Sequence, residues 1–349
     1  MVKKVSTQKT TTFWDKLPKP FFVLAPMANV TDFAFRSMIA KYGKPDVIWN
    51  EFVSANGLCS PGRARLMHDL KFSPKERPIV AQLFTGDPVS MKKAAQLCAE
   101  LGFDGVDLNM GCPDRAIEKQ GSGAGHIKDQ KRAIEVLNAA REGAQRKGKS
   151  LPISVKTRIG YNKLDMDWVR SILMQKPPAL TIHLRTRKEM SDVPAHWELM
   201  PEFVKLRNEV SPVTLIIGNG DVQTVVEAAE KCATYGCDGV MIGRGIFGTP
   251  WLFEDKETIR KSGAQTKLSA AKTPEERLTI MLEHTKLFEK TYCGTKNLKN
   301  FAVMKKHFKA YVSGWDGAKE LRAKLMETNG YKEVKGIVDM YLDSSDKVF

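Results

Sequence analysis

Val106-Asp107-Leu108-Asn109-Met110-Gly111-Cys112-Pro113, with Gly121-Ser122-Gly123-Ala124-Gly125 just beyond it, decides how this chain reads. An apolar run of buried-strand character stops abruptly at Asn109, Gly111, Cys112 and Pro113, so a thiol stands at a strand's C-terminal edge on a tightly turning backbone. Parallel α/β folds keep their chemistry at that edge. A lone cysteine is more often a small buried hydrophobe, and this stretch by itself leaves both readings open.

Outward from it, eight short β-like runs recur: Phe21–Met27, Asp46–Phe52, Pro78–Phe84, Gly105–Gly111, Pro152–Gly160, Ala179–Arg185, Thr214–Gly220 and Gly239–Gly245. Helix-like segments separate them. Asp87-Pro88 supplies an N-cap and a first-turn proline; Met91, Ala94, Ala95, Leu97, Cys98 and Leu101 follow at helical spacing, and Gly102 ends the run. Asp221 to Gly236 repeats the plan. Strands alternating with helices pair in parallel, because each crossover returns over the sheet. Eight such units in about 240 residues predict an α/β fold of the (β/α)8 TIM-barrel type, in preference to an open doubly wound sheet.

After Trp251-Leu252-Phe253 the composition turns polar. From Thr273-Pro274-Glu275-Glu276 onward the apolar positions keep helical spacing, through Leu278, Met281 and Leu282 to Phe301, Met304 and Phe308 and then Leu321 and Leu325. The expected organisation is an N-terminal extension over 1–19, a barrel over 20–255, a linker over 256–272 and a small all-helical C-terminal domain over 273–349.

The chain carries 42% hydrophobic residues, a net charge of +15 and six cysteines with no Cys-x-x-Cys pair. That pattern argues against a zinc site or a disulfide framework and suits a reducing compartment. No apolar run is long enough to span a bilayer and the start lacks a secretory leader, so a cytoplasmic location and no membrane partner are expected. A charge this positive suits a polyanion, nucleic acid first, with a merely solubilising surface as the alternative. No stable protein partner is foreseen.

The strand ends are polar in a consistent way: Ala25-Pro26-Met27-Ala28, Gln82, Asn109 with Cys112, Lys156 with Arg158, His183 with Arg185, Asn219-Gly220-Asp221, and Gly243-Arg244-Gly245. Polar groups in buried strands are costly unless paired or bound, so this many at one rim argue for a ligand. Loops after the seventh and eighth strands of such barrels commonly hold phosphate, where glycine lets backbone N–H groups approach and Arg244 can fork onto the oxygens. Together they point to a phosphorylated cofactor.

Pro26-Met27-Ala28-Asn29-Val30-Thr31-Asp32-Phe33-Ala34-Phe35-Arg36, Gln82-Leu83-Phe84-Thr85-Gly86, Asn109-Met110-Gly111-Cys112-Pro113, Lys156-Thr157-Arg158 and His183-Leu184-Arg185-Thr186-Arg187 resemble, in order, the signatures of the tRNA-dihydrouridine synthases. Asn219-Gly220-Asp221 and Gly243-Arg244-Gly245 complete the series, and His307-Phe308-Lys309-Ala310-Tyr311-Val312-Ser313-Gly314 is similar to the family's helical domain. The resemblance implies an FMN enzyme that takes electrons from NADPH and reduces the C5–C6 bond of uridines in tRNA. It places Pro26, Met27 and Ala28 behind the flavin ring and Gln82, Lys156 and His183 at its edge. Asn219, Gly220, Asp221, Gly243 and Arg244 then hold the ribityl phosphate, and Cys112 is the acid for C5. A thiol, whose ordinary pKa is about 8.5, is protonated near neutrality yet gives up its proton readily.

Asn109, Arg158 and Arg185 are assigned to the substrate. From Lys286 to Lys309 seven lysines face one glutamate, and Lys299 and Lys306 are expected on one helical face opposite Phe301 and Phe308, meeting RNA phosphates or only solvent. Three positions depart from the family's pattern, Leu184, Ser191 and the Gly125-His126 pair, and all three are expected around the substrate rather than the phosphate. Two other functions fit part of the pattern: a dihydroorotate- or dihydropyrimidine-type dehydrogenase acting on a free base, which needs neither the charge nor the helical tail, and an RNA-binding protein with a structural flavin.

Overall fold

The computed structural model describes residues 11–146, 148–262, 268–294 and 297–345. The first ten residues of the expected extension therefore lie outside the described residues.

Eight parallel strands form the barrel: β1 (Phe21–Leu24), β2 (Ile48–Trp49), β3 (Ile79–Phe84), β4 (Gly105–Met110), β5 (Ile153–Arg158), β6 (Ala179–His183), β7 (Leu215–Asn219) and β8 (Gly239–Ile242). Each pairs with its neighbour in sequence, β8 pairs with β1, and a parallel bridge between Val23 and Val47 joins β1 to the start of β2. The second predicted strand is broken. Its later part, Val53–Ser54, pairs separately with β3, because Asn50 between the pieces spends its side chain on Gln82 N–H and Asp69 O.

Six helices cover the barrel: α1 (Phe33–Tyr42), α2 (Pro88–Leu101), α3 (Gln130–Gly143), α4 (Met166–Leu173), α5 (Met200–Val210) and α6 (Val225–Tyr235). Their ends follow the local chemistry. Asp87 caps α2 through Val89 and Ser90 N–H, and Gly102 ends it in the left-handed conformation.

Strand parity sorts the core. Phe21, Val23, Trp49, Val80, Ala179, Ile217 and Met241 form one cluster, whereas Phe22, Leu24, Ile48, Ala81 and Leu180, one residue out of phase, belong to another that includes the helices. The first cluster fills the barrel. Trp14, from a single 3-10 turn (Phe13–Lys16), packs on Phe21 and Trp49 and closes the N-terminal mouth, which leaves chemistry to the opposite rim.

The expected linker begins as a helix, α7 (Lys256–Ser262), tied down by Lys256 and Arg260 on Asp46 and by Arg260 Nε on Pro20 O. Beyond it come α8 (Pro274–Phe288), a π turn (Glu289–Cys293), α9 (Val303–Tyr311), α10 (Ala318–Met326) and α11 (Tyr331–Ser345). The helical unit shares the barrel's core. His284 of α8 stacks on Phe35 of α1 at 5.0 Å, and His307 of α9 packs against Phe35 and against Phe247 beyond β8. Burial pushes His284 down to about 3 and His307 well below the usual range, so both serve as neutral aromatic rings. No helix among the described residues is long and apolar enough to cross a membrane.

Candidate active site

Gln82, Asp107, Asn109, Ser154, Lys156, Arg158, His183 and Asn219 all sit at inward-facing parity on β3 to β7, and the register sets them side by side. Gln82 pairs with Asp107, Asn109 with Lys156, Arg158 with His183 and Asn219 with His183. A polar band thus crosses the upper barrel.

One continuous hydrogen-bond chain runs through it. Ser154 Oγ and Gln82 Nε2 donate to the two oxygens of Asp107 at 2.6 and 2.7 Å, and Asn109 Nδ2 donates to Gln82 Oε1 at 3.2 Å. Asn109 Oδ1 in turn accepts Gly111 N–H at 3.2 Å and Cys112 N–H at 2.9 Å. Asn109 therefore spends its amide on the loop that presents the thiol. Burial raises Asp107 to about 6 despite these donors.

Cys112 is half-buried, and burial raises its thiol above the ordinary value, which keeps it protonated at neutral pH. Its carbonyl accepts Ala124 N–H at 2.9 Å, so the glycine-rich stretch folds over it. Gly123, at φ +57°, has to be glycine there: a Cβ would stand 2.6 Å from Cys112 O. Arg158 is buried and donates to Gly111, Thr186 and Met190 carbonyls at 2.9 Å each, tying the Cys112 loop to the loop after β6. Burial lowers it to about 10, so it stays cationic.

A cavity of about 220 Å³ opens beside this band, with Ala25, Pro26, Met27 and Met241 at its apolar side and Lys156, His183, Asn219, Asp221 and Arg244 at its polar side. Lys156 Nζ donates to Asn219 Oδ1 at 3.1 Å, and burial followed by the nearby Arg158 charge lowers it to about 8. His183 is held neutral, first by burial and then by surrounding cations. Arg185 donates to its Nε2 at 3.2 Å, which leaves the ring proton on Nδ1.

Arg185, expected at the substrate, lines the same cavity as Lys156 and His183. It is buried at the cavity and pairs with Asp221 at 2.5 Å, while Arg244 pairs with the other Asp221 oxygen at 2.7 Å. Against the burial that would raise it, Arg185, Ala195 N–H and Arg244 hold the Asp221 carboxyl below its usual range. Asp221 thus arrays two arginines. Before it, Gly220 at φ +134° passes so close to Ala195 that a Cβ would meet that side chain at 2.6 Å. Gln82, fully buried, bonds Asp107 and Asn109 and does not line this cavity, while Ala28 and Gly243 complete the rim loops after β1 and β8.

One of the two helical lysines requires a correction. Lys299 precedes α9 rather than sharing its face with Lys306, and its side chain is only 7% exposed, with Nζ 2.6 Å from Glu51 and 3.7 Å from Asp69. Its charge is consumed inside the molecule. Lys306 is half-buried on α9, where burial lowers its pKa. The three departures also separate: Leu184 is fully buried, His126 is buried with Nε2 on Thr85 O and held down to about 4, and only Ser191 lines a cavity. That cavity is the one lined by Asp221 and Arg244, so Ser191 lies beside the residues expected to hold the phosphate.

Residues 23–345 match the dihydrouridine synthase (Dus) family. The chain belongs to that family. A probable tRNA-dihydrouridine synthase of Staphylococcus aureus (strain COL) is 40% identical over 341 residues, 96% of this chain and 97% of that protein. Probable tRNA-dihydrouridine synthase 2 of Bacillus subtilis (strain 168) is 41% identical over 344 residues, 96% of this chain and 99% of that one. As a dihydrouridine synthase the chain is an oxidoreductase.

Solved structures of two proteins share the fold alone. A 6-hydroxypseudooxynicotine amine oxidase from Pseudomonas geniculata N1 has a TM-score of 0.50 at 13% identity, over 69% of this chain and 47% of its own. A 2-naphthoyl-CoA reductase has a TM-score of 0.50 at 10% identity, over 73% of this chain and 52% of its own. The dihydrouridine synthase chain thus spans about half the length of each.

Sequence reasoning missed Asp107, Ser154 and Glu51. For Asp107 the signal was available, since an acid inside an apolar strand must be paired or used.

Proposed function

We propose that this dihydrouridine synthase reduces the C5–C6 bond of uridines in tRNA, with FMN in the cavity beside Lys156 and Arg244 and NADPH as reductant. The observation that carries the reading is a half-buried thiol, its loop clamped by Asn109 and Ala124, at the rim next to a cavity cationic at one end and apolar at the other. The names of the relatives and the +15 charge support tRNA as substrate.

The donor set fits an anionic flavin nucleotide. Asp221 turns Arg185 and Arg244 toward the cavity, and Gly220 lets the backbone come close, which suits a phosphate. Ala25, Pro26 and Met27 offer an apolar wall for a ring, and Lys156 and His183 offer polar atoms for its edge.

When bound, FMN supplies hydride for C6 of the uracil. Cys112 delivers the proton: its S–H bond breaks as C5–H forms, so the ring gains one hydride and one proton and the thiolate is left at Sγ. Lys156 and Arg158, whose charges favour that thiolate, stabilise the product of the step. Asn109 and Arg158 fix where the sulfur stands.

Mapping dihydrouridine along tRNA from cells with and without this gene tests the proposal. Disappearance at one or more positions is expected, and an unchanged map refutes it. The purified protein is expected to be yellow and to release FMN on denaturation.

A further inference from the structure

We propose that Lys299, a residue of the helical unit, is a positioning residue that sets the shape of the loop Pro26–Asp32 through Glu51, and so the cofactor-facing wall of the barrel; the inference rests on the FMN reading above. The path is short, buried at Lys299 and Glu51 and partly buried at Asn29. Lys299 Nζ lies 2.6 Å from Glu51 Oε2, and Glu51 Oε1 accepts Asn29 N–H at 2.5 Å.

Asn29 adopts φ +54°, a left-handed turn two residues beyond Met27, which lines the cavity. The same turn is closed from within by Thr31 Oγ1, which accepts Met27 N–H at 2.9 Å, and by Met27 O, which accepts Val30 and Thr31 N–H. Asn29 N–H points the other way and depends on Glu51.

Lys299 holds the Glu51 carboxyl in place against Asn29. Burial raises that carboxyl above its usual range, Asp69 and Asp32 add to the rise, and Lys299 is the largest influence the other way. The helical unit also holds the far end of the loop, since Tyr292 of the π turn accepts Phe33 N–H at 3.0 Å and lies under Lys299 with 5.1 Å between Nζ and the ring centre. Both anchors come from the stretch between α8 and α9.

The test uses three full-length variants: Lys299→Met alone, expected to bind FMN at least tenfold more weakly than wild type; Lys299→Met with Glu51→Gln, which keeps a neutral acceptor for Asn29; and Lys299→Met with Glu51→Leu, which removes it. FMN affinity is read by quenching of flavin fluorescence, and thermal unfolding without FMN is measured alongside. The Gln pair is expected within threefold of wild type and the Leu pair at least tenfold weaker, a split that a purely structural role would not produce. Equal affinities overturn the proposal. Should the Leu pair not fold, Lys299→Met alone replaces it in the comparison and is also expected to be at least tenfold weaker than the Gln pair. A wild-type protein that binds no FMN refutes the cofactor reading instead and is thereby distinguished.

Discussion

Replacing Asn109 with Ala separates two roles for a single side chain. The amide accepts Gly111 N–H at 3.2 Å and Cys112 N–H at 2.9 Å and donates to Gln82 Oε1 at 3.2 Å. Three neutral hydrogen bonds at about 1 kcal/mol each, with buried partners left behind, put the loss at roughly 2–4 kcal/mol of folding stability. The thiol loop also loses its clamp, and a displacement of about 1 Å can cost about a hundredfold in rate. Urea unfolding of the FMN-loaded protein reads the first effect, and stopped-flow reoxidation of reduced flavin by unmodified tRNA reads the second. If Asn109 were only a substrate contact, the variant would keep wild-type stability and show a raised KM for tRNA alone. That result would refute the clamp.

Cys112→Ala is expected to bind FMN and accept electrons from NADPH normally while anaerobic reoxidation by tRNA slows at least about a hundredfold, the usual cost of losing a positioned general acid; a wild-type rate in stopped flow would assign the proton to another donor. Arg244→Ala should weaken FMN binding about tenfold, ~1.4 kcal/mol, a modest effect for a charged contact because the side chain is 59% exposed; unchanged retention on dialysis would remove Arg244 from the phosphate site. Lys156, lowered to about 8, is cationic below that pH and neutral above it, so FMN affinity titrated from pH 7 to pH 9.5 should fall through the transition in wild type and stay flat in Lys156→Met.

Period two and the glycines and prolines that punctuate it carried the strands, because a strand buried on both faces must be nearly all apolar and must stop where the rim begins. Lys156 and His183 stood out against that background, and Asp107 could have. What stayed hidden depends on partners far away in sequence. Helical spacing extended backward from Phe301 put Lys299 on a solvent face, but its partner Glu51 is 248 residues away and no local pattern records it. Arg158 reads as a free cation in any sequence, whereas its three acceptors are main-chain carbonyls, which have no letter of their own. Ser191 lies in an irregular loop, and only the fold carries it to the cavity lined by Asp221 and Arg244.

The seam where Phe35, His284, His307 and Phe247 meet makes the barrel and the helical unit halves of one interior rather than beads on a string. Without the helices, Phe35 and Phe247 would face water, so a barrel cut off after α7 should not survive as a soluble fragment. The seam also acts as a ruler. Any RNA that the helical unit bound would meet Cys112 at a separation set by these packed rings. Reaching a different uridine would then require turning the whole RNA on the surface, not bending the protein.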